Sequence, residues 1–211
     1  MDETTLARDY AYLEKYVGID KVYLETYRDG TWVAIDHMKM IQNFFKKHGV
    51  EIAGGITTVT PPLEKDDVKR QRLFQTFCYS NEAMRTYLKK IVTYTAELFD
   101  EIILDDFFFT SCTCDDCLRE RSNLSWAEFR SKKMIDVAEN LILKPAKLAN
   151  PSVKVTIKYP NWRESYHETG YVPKIQPSMF DKIYTGTETR NTAHTDLLVV
   201  PGKRRNRVGL S

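Results

Sequence analysis

No stretch of the 211 residues comes near the ~18 uninterrupted apolar residues that a membrane span requires. A membrane-spanning helix is therefore excluded, and no membrane partner is expected. An export signal is missing too. Met1-Asp2-Glu3-Thr4-Thr5 is acidic and polar, without a basic flank or an apolar segment. This points to the cytoplasm, with a periplasmic or secreted location open only if residues precede Met1. Charge of one sign is also lacking: 31 Lys and Arg face 29 Asp and Glu. That balance gives no reason to expect nucleic acid, and the one basic run is Lys203-Arg204-Arg205-Asn206-Arg207. No Gly-x-Gly-x-x-Gly follows a strand, which disfavours a dinucleotide-binding unit, and neither a P-loop nor a Gly-x-Ser-x-Gly is present. The four histidines, His37, His48, His167 and His194, fall in no metal or triad spacing.

What the chain does have is alternation. Leu6 to Tyr16 has helical spacing, with Gly18 as its stop, and Lys21–Tyr27 is rich in β-branched and aromatic residues. A second helix is predicted from Ile35 to Lys47, then a strand over 50–56. Residues 63–80 read as an extended loop. Ser80 or Asn81 caps a helix whose apolar positions run from Met84 to Leu98, and a strand over 101–106 ends in two carboxylates. Ser125-Trp-Ala-Glu128 is a capping box, and further strands are predicted over 153–159 and 180–186.

Strand, loop and helix in repetition imply parallel strands joined by crossover helices, either in an open sheet or in a (β/α)₈ barrel. Polar residues favour the barrel. Glu25, Asp105, Asp106, Lys158 and Glu188 fall at or just past strand C-termini, the face on which barrel active sites are built. A full barrel needs eight strands and roughly 250 residues, so this chain is expected to hold five or six of the eight. Residues 1–196 form the partial barrel domain in this reading and 197–211 an irregular basic tail. Unpaired sheet edges would then favour self-association.

Cysteine is scarce, and its placement is specific. Cys112-Thr-Cys114-Asp-Asp-Cys117 forms a Cys-x-Cys-x-x-Cys loop, with Cys78 well upstream. Four thiols so arranged suit a structural Zn²⁺ with every position taken by sulfur. Two disulfides or four independent thiols are the alternatives, the former requiring an oxidising compartment.

These motifs together resemble a known family. Cys78-Tyr-Ser-Asn-Glu-Ala-Met-Arg85, the acidic strand end, the Cys-x-Cys-x-x-Cys loop and Trp126-x-x-Phe129-Arg130 look like the fourth βα unit of family 42 glycoside hydrolases. Those are β-galactosidases with a (β/α)₈ barrel and a four-cysteine zinc site. The resemblance spans about residues 50–135. Ile103-Leu-Asp-Asp-Phe-Phe-Phe109 and Tyr184-Thr-Gly-Thr-Glu-Thr-Arg190 also resemble uncharacterised glycosidase-like barrel proteins, the closer relatives. In family 42 the strand ends in Asn-Glu, with the Glu as general acid/base. That role falls here on Asp106, one methylene shorter, and the Asn position on Asp105.

The resemblance implies a carbohydrate substrate and hydrolysis of O-glycosidic bonds, which needs one protonated and one ionised carboxyl group. Asp106 is the expected acid, with Asp105, on the opposite strand face, orienting a neighbour or binding a hydroxyl. Glu188, which could instead pair with Arg190, is the expected second carboxylate. Glu25, Tyr27, Lys158, Tyr159 and Trp162 are expected to touch the substrate. Trp32 and Phe107-Phe108-Phe109 admit the same stacking role or simple packing. Two other readings are kept, a non-catalytic carbohydrate-binding barrel and a zinc-stabilised interaction domain.

Overall fold

The structure, a computed structural model, describes residues 2–59, 72–160 and 166–186. Helix α1 (Glu3–Tyr16) leads into β1 (Lys21–Arg28) and a short return strand β2 (Thr31–Trp32). Next come α2 (Ile35–Lys47), β3 (Glu51–Ile56), α3 (Glu82–Leu98) and β4 (Glu101–Leu104). A short α4 (Asp115–Arg121) precedes α5 (Trp126–Val137), which runs through a π turn (Ala138–Leu143) into α6 (Lys144–Ala149). The described chain closes with β5 (Lys154–Tyr159), a one-turn α7 (Tyr166–Thr169) and β6 (Lys182–Thr185).

Helices α1, α3 and α5 begin where side chains satisfy their first amides. Asp2 accepts from the Thr5 amide, Asn81 from that of Met84, and Ser125 with Glu128 forms a complete capping box. The sheet order is β2-β1-β3-β4-β5-β6, and only the β1–β2 pairing is antiparallel. The expected architecture is borne out: a barrel-type α/β fold with parallel strands and crossover helices, open among the described residues.

Period-two alternation gives the sheet two unlike faces. Ile102, Leu104, Val155, Ile157 and Tyr159 are buried toward the helices, in a core shared with Leu88, Ile91 and Val92 of α3 and Met134 and Val137 of α5. A smaller cluster packs α1 and α2 on β1 through Leu6, Phe44 and Phe45. Helix α3 lies close on β3. A Cβ on Gly54 would stand 2.7 Å from Thr95 and 2.8 Å from Phe99, so only glycine fits.

The inner face is polar. Glu101 accepts from Lys21 at 2.8 Å and Lys182 at 2.7 Å, and the Tyr23 and Tyr184 hydroxyls meet at 2.7 Å. Those tyrosines sit on β1 and β6, with three strands between them. The contact shows how far the sheet has curled toward a barrel.

Several elements differ from expectation for local reasons. The 101–106 strand stops at Leu104, although the Asp105 amide still donates to Ile56 across the ladder. Beyond it, the Asp106 amide turns back to Asp105 Oδ1 at 2.8 Å. Helix α4 was hidden in the cysteine loop. It is only 7 residues long and starts at Asp115, directly after Cys114.

Candidate active site and cysteine cluster

Cys78, just before α3, and Cys112, Cys114 and Cys117, around the start of α4, are all buried, with their sulfurs within 4.8 Å of one another. Cys78 Sγ is 3.5 Å from Cys114 Sγ and 3.7 Å from Cys117 Sγ, and the last two are 3.7 Å apart. Disulfide sulfurs bond at ~2.05 Å, so these are four thiols facing one point, a set that can hold a metal ion. Sulfur hydrogen bonds from Cys117 and Cys78 hold the Cys112 thiol far below its usual range. Contacts with Cys112 and Cys117, together with burial, push Cys78 up.

Its surroundings explain the Trp-x-x-Phe-Arg motif. Arg130 donates to Ser111 O at 3.0 Å and Glu168 O at 2.7 Å, tying α5 to the cysteine loop and to α7. Trp126 is flanked by two guanidinium groups, Arg121 at 4.7 Å and Arg130 at 4.9 Å from its ring centre. Burial lowers the affinity of Arg130 for its proton, while the charges of Cys117 and Cys112 act the other way.

The second constellation lies at the strand C-termini. Asp105 continues the inward-facing positions of β4 and meets Lys158 of β5, Nζ to Oδ1 at 3.1 Å. Lys158 also reaches Asp106 Oδ2 at 3.8 Å. On β1, Glu25 accepts from Thr57 Oγ1 at 2.5 Å and from Arg28 at 2.8 Å. The hydrogen bond it donates to Glu25 is the main reason why the Arg28 guanidinium holds its proton more tightly than usual. Gly55 leaves room between these groups, since a Cβ there would lie 3.2 Å from Glu25 Cγ. The mouth therefore carries Glu25, Arg28, Asp105 and Lys158 around a glycine floor.

The remaining expected residues are placed differently. The Asp106 side chain is only 2% exposed, against 25% for Asp105, and its backbone carbonyl accepts from Tyr171 at 2.8 Å. Asp106 therefore lies beneath the mouth surface and Asp105 upon it. Tyr27 is fully buried, its ring edge-on to Trp32, Phe77 and Tyr87, and its hydroxyl accepts from Gly30. Tyr159 is buried against Tyr166 and Tyr171, with its hydroxyl on Gln176 at 3.3 Å. Both rings are committed to packing, because an aromatic on the helix side of the sheet cannot face the mouth. Glu188 and Trp162 lie outside the described residues. Arg28 and Thr57 escaped the sequence reading, and only the i, i+3 spacing of Arg28 from Glu25 hinted at their pairing.

Known proteins resemble this arrangement at several levels. An uncharacterised protein of Saccharolobus solfataricus is 32% identical over 198 residues, which is 83% of this chain and 33% of the relative. The chain thus spans about a third of the length of the curated relative it matches. Among solved structures, a cold-adapted beta-galactosidase from Rahnella sp. R3 superposes with a TM-score of 0.63 at 11% identity, covering 87% of this chain and 37% of that one. An alpha-L-fucosidase isoenzyme 2 from Paenibacillus thiaminolyticus gives 0.54 at 11% identity, over 71% of this chain and 28% of that one. At such identities the likeness establishes the fold. The sequence itself goes further: residues 1–203 match the family described as "probable glycosyl hydrolase, catalytic domain", and this chain belongs to it.

Proposed function

We propose that the mouth at the strand C-termini binds a carbohydrate and hydrolyses an O-glycosidic bond, with Asp105 as its central carboxylate. The observation that carries this reading is the meeting of Asp105 with Lys158 at 3.1 Å on the inward face, at the end where barrel active sites form. In the reaction the bond from the anomeric carbon to the leaving oxygen breaks. One carboxyl donates a proton to that oxygen, and one carboxylate attacks the sugar or activates the incoming water. Asp105, ion-paired and accessible, suits the second part. Asp106 holds Lys158 in place from below, which makes it a positioning residue. The proton donor is then a carboxyl such as Glu188. Glu25 and Arg28 offer an acceptor and a donor to sugar hydroxyls.

The cysteine cluster is structural in this proposal, and its metal is Zn²⁺. A tetrahedral ion with Zn–S bonds of ~2.3 Å sets its sulfurs about 3.8 Å apart, close to the 3.5–3.7 Å seen here. With four thiolates as ligands no position is left for substrate. The ion would tie the loop after β4 to the start of α3 and so fix the wall of the mouth.

The test compares wild type, Asp105→Asn and Asp106→Asn on a panel of glycosides with either a dinitrophenyl or a methyl leaving group. Loss of the attacking or water-activating carboxylate should slow both classes by at least about 10²-fold, with Asp106→Asn milder. An acid catalyst would instead show little effect on the dinitrophenyl substrates, which need no protonation. Binding of sugars without turnover by wild type would leave a carbohydrate-binding barrel. Unchanged turnover in Asp105→Asn would remove Asp105 from the mechanism.

A further inference from the structure

The loop between β3 and α3 carries a feature that the carboxylate mouth leaves unexplained. Phe74 and Gln75 both adopt positive φ, 53° and 52°, a left-handed conformation that a Cβ disfavours. Two such residues in succession persist only where the surroundings hold them, and such strain gathers at functional sites. The holding contacts are visible. The Leu73 amide donates to Ser111 Oγ at 2.7 Å, Gln75 N donates to Arg72 O at 3.0 Å, and Phe77 N donates to Thr58 O at 3.2 Å.

The strained turn does not bury Phe74. The ring stays 51% exposed, while Phe77, Phe108 and Phe109 nearby are packed away. Its inner edge rests on Phe107, with ring centres 5.1 Å apart at 65°, and on Phe109 at 6.3 Å. Phe107 lies two residues beyond Asp105, so their Cα atoms are at most about 7 Å apart. Thr58 Oγ1 fastens the Phe107 carbonyl at 2.7 Å, on the strand end next to the Thr57 that holds Glu25. The exposed ring therefore stands over the segment that follows Asp105, beyond the C-terminal end of β4.

We propose that Phe74, backed by Phe107, is a stacking platform for the C–H face of a sugar ring bound at the mouth. The claim rests on the carbohydrate reading above and adds the residue that recognises the ring. A flat aromatic face gives a sugar its apolar contact, while Glu25, Arg28 and Asp105 supply the polar ones. A packing role alone would turn the ring inward and let the backbone relax. Here the backbone is held in a disfavoured conformation and the ring stays outside.

The probe is an array of immobilised oligosaccharides spanning α- and β-linked hexoses, pentoses, deoxyhexoses and hexosamines. It is read with wild type, Phe74→Ala, Phe74→Trp and Phe74→Gly, each with its thermal melt. Phe74→Ala should weaken capture of the preferred glycan by roughly tenfold, the value of one good aromatic contact, and Phe74→Trp should keep it. Phe74→Gly removes the ring but suits the positive φ, so capture should fall while the melting temperature holds or rises. Capture by wild type that Phe74→Ala leaves unchanged, or that Phe74→Trp loses equally, overturns the platform and leaves the carbohydrate reading standing. Failure of wild type to capture any glycan overturns both.

Discussion

Replacing Cys78 by serine tests the metal reading most directly, because Cys78 is the only remote member of the cluster. An ion bound by all four sulfurs closes a loop between Cys78 and Cys114, which are 36 positions apart. Treated as a cross-link, closure of a loop of that length removes about 3.8 kcal/mol of chain entropy from the unfolded state. Loss of one ligand should forfeit most of it. In a chain of this size 1 kcal/mol moves the melting temperature by roughly 2–4 °C, so Cys78→Ser should melt roughly 8–15 °C below the metal-loaded wild type. A strong chelator should bring wild type down by a similar amount and leave Cys78→Ser almost unmoved, since both act on the same cross-link. Elemental analysis should give about one zinc per chain before chelation. If wild type carries no metal, and chelator and substitution shift the melt by only a degree or two, the cluster is four packed thiols and the cross-link argument falls.

Two further outcomes follow from the inner face and the sheet edges. Glu101 is partly buried, which pushes its carboxyl up, but hydrogen bonds from Lys182 and Lys21 outweigh this and hold it below the usual glutamate value of 4.5. A depressed carboxyl stabilises the fold above its unfolded value and loses that stabilisation as pH falls through the folded one. Denaturant melts should therefore weaken on acidification below about pH 4.5, and Glu101→Gln should flatten that slope. A steep acid slope unchanged in Glu101→Gln would refute the assignment. At the edge, β2 pairs only with Tyr27 and Arg28 of β1. Among the described residues this leaves the outer backbone of Lys21–Glu25 unpaired, so light scattering of the chain alone should show concentration-dependent association. A monodisperse monomer at high concentration would show that the edge is covered.

The fold was legible because its signals are local. The α3 pattern from Met84 to Leu98, the Ser125–Glu128 box and the stop at Gly18 each depend on neighbours within a few positions. The cysteine cluster was legible for a different reason: thiols are rare, and three of the four lie within six residues. What resisted reading was either short or made by distant partners. Strand β2 is two residues long and α4 about two turns. No window of sequence joins Tyr23 to Tyr184, or Lys21 and Lys182 to Glu101.

The site shows the same limit at finer scale. Sequence alone put carboxylates at the end of β4 and a lysine at the end of β5, and both are there. It could not rank Asp105 against Asp106, because adjacent residues on a strand face opposite ways and the parity depends on which face the helices cover. Ile102 and Leu104 are the buried, helix-facing positions, which makes Glu101, Ile103 and Asp105 the inward ones. The strand then ends, the Asp106 amide folds back onto Asp105, and Asp106 drops below the surface among Lys158 and Tyr171. Aromatics obey the same parity. Tyr159 shares the register of Val155 and Ile157 and so joins the core, whereas Lys158 between them points to the mouth. Residues beyond the strand ends escape that alternation, which is how a loop phenylalanine, Phe74, can stand exposed past the end of β4 while Tyr27 and Tyr159 are packed under the sheet.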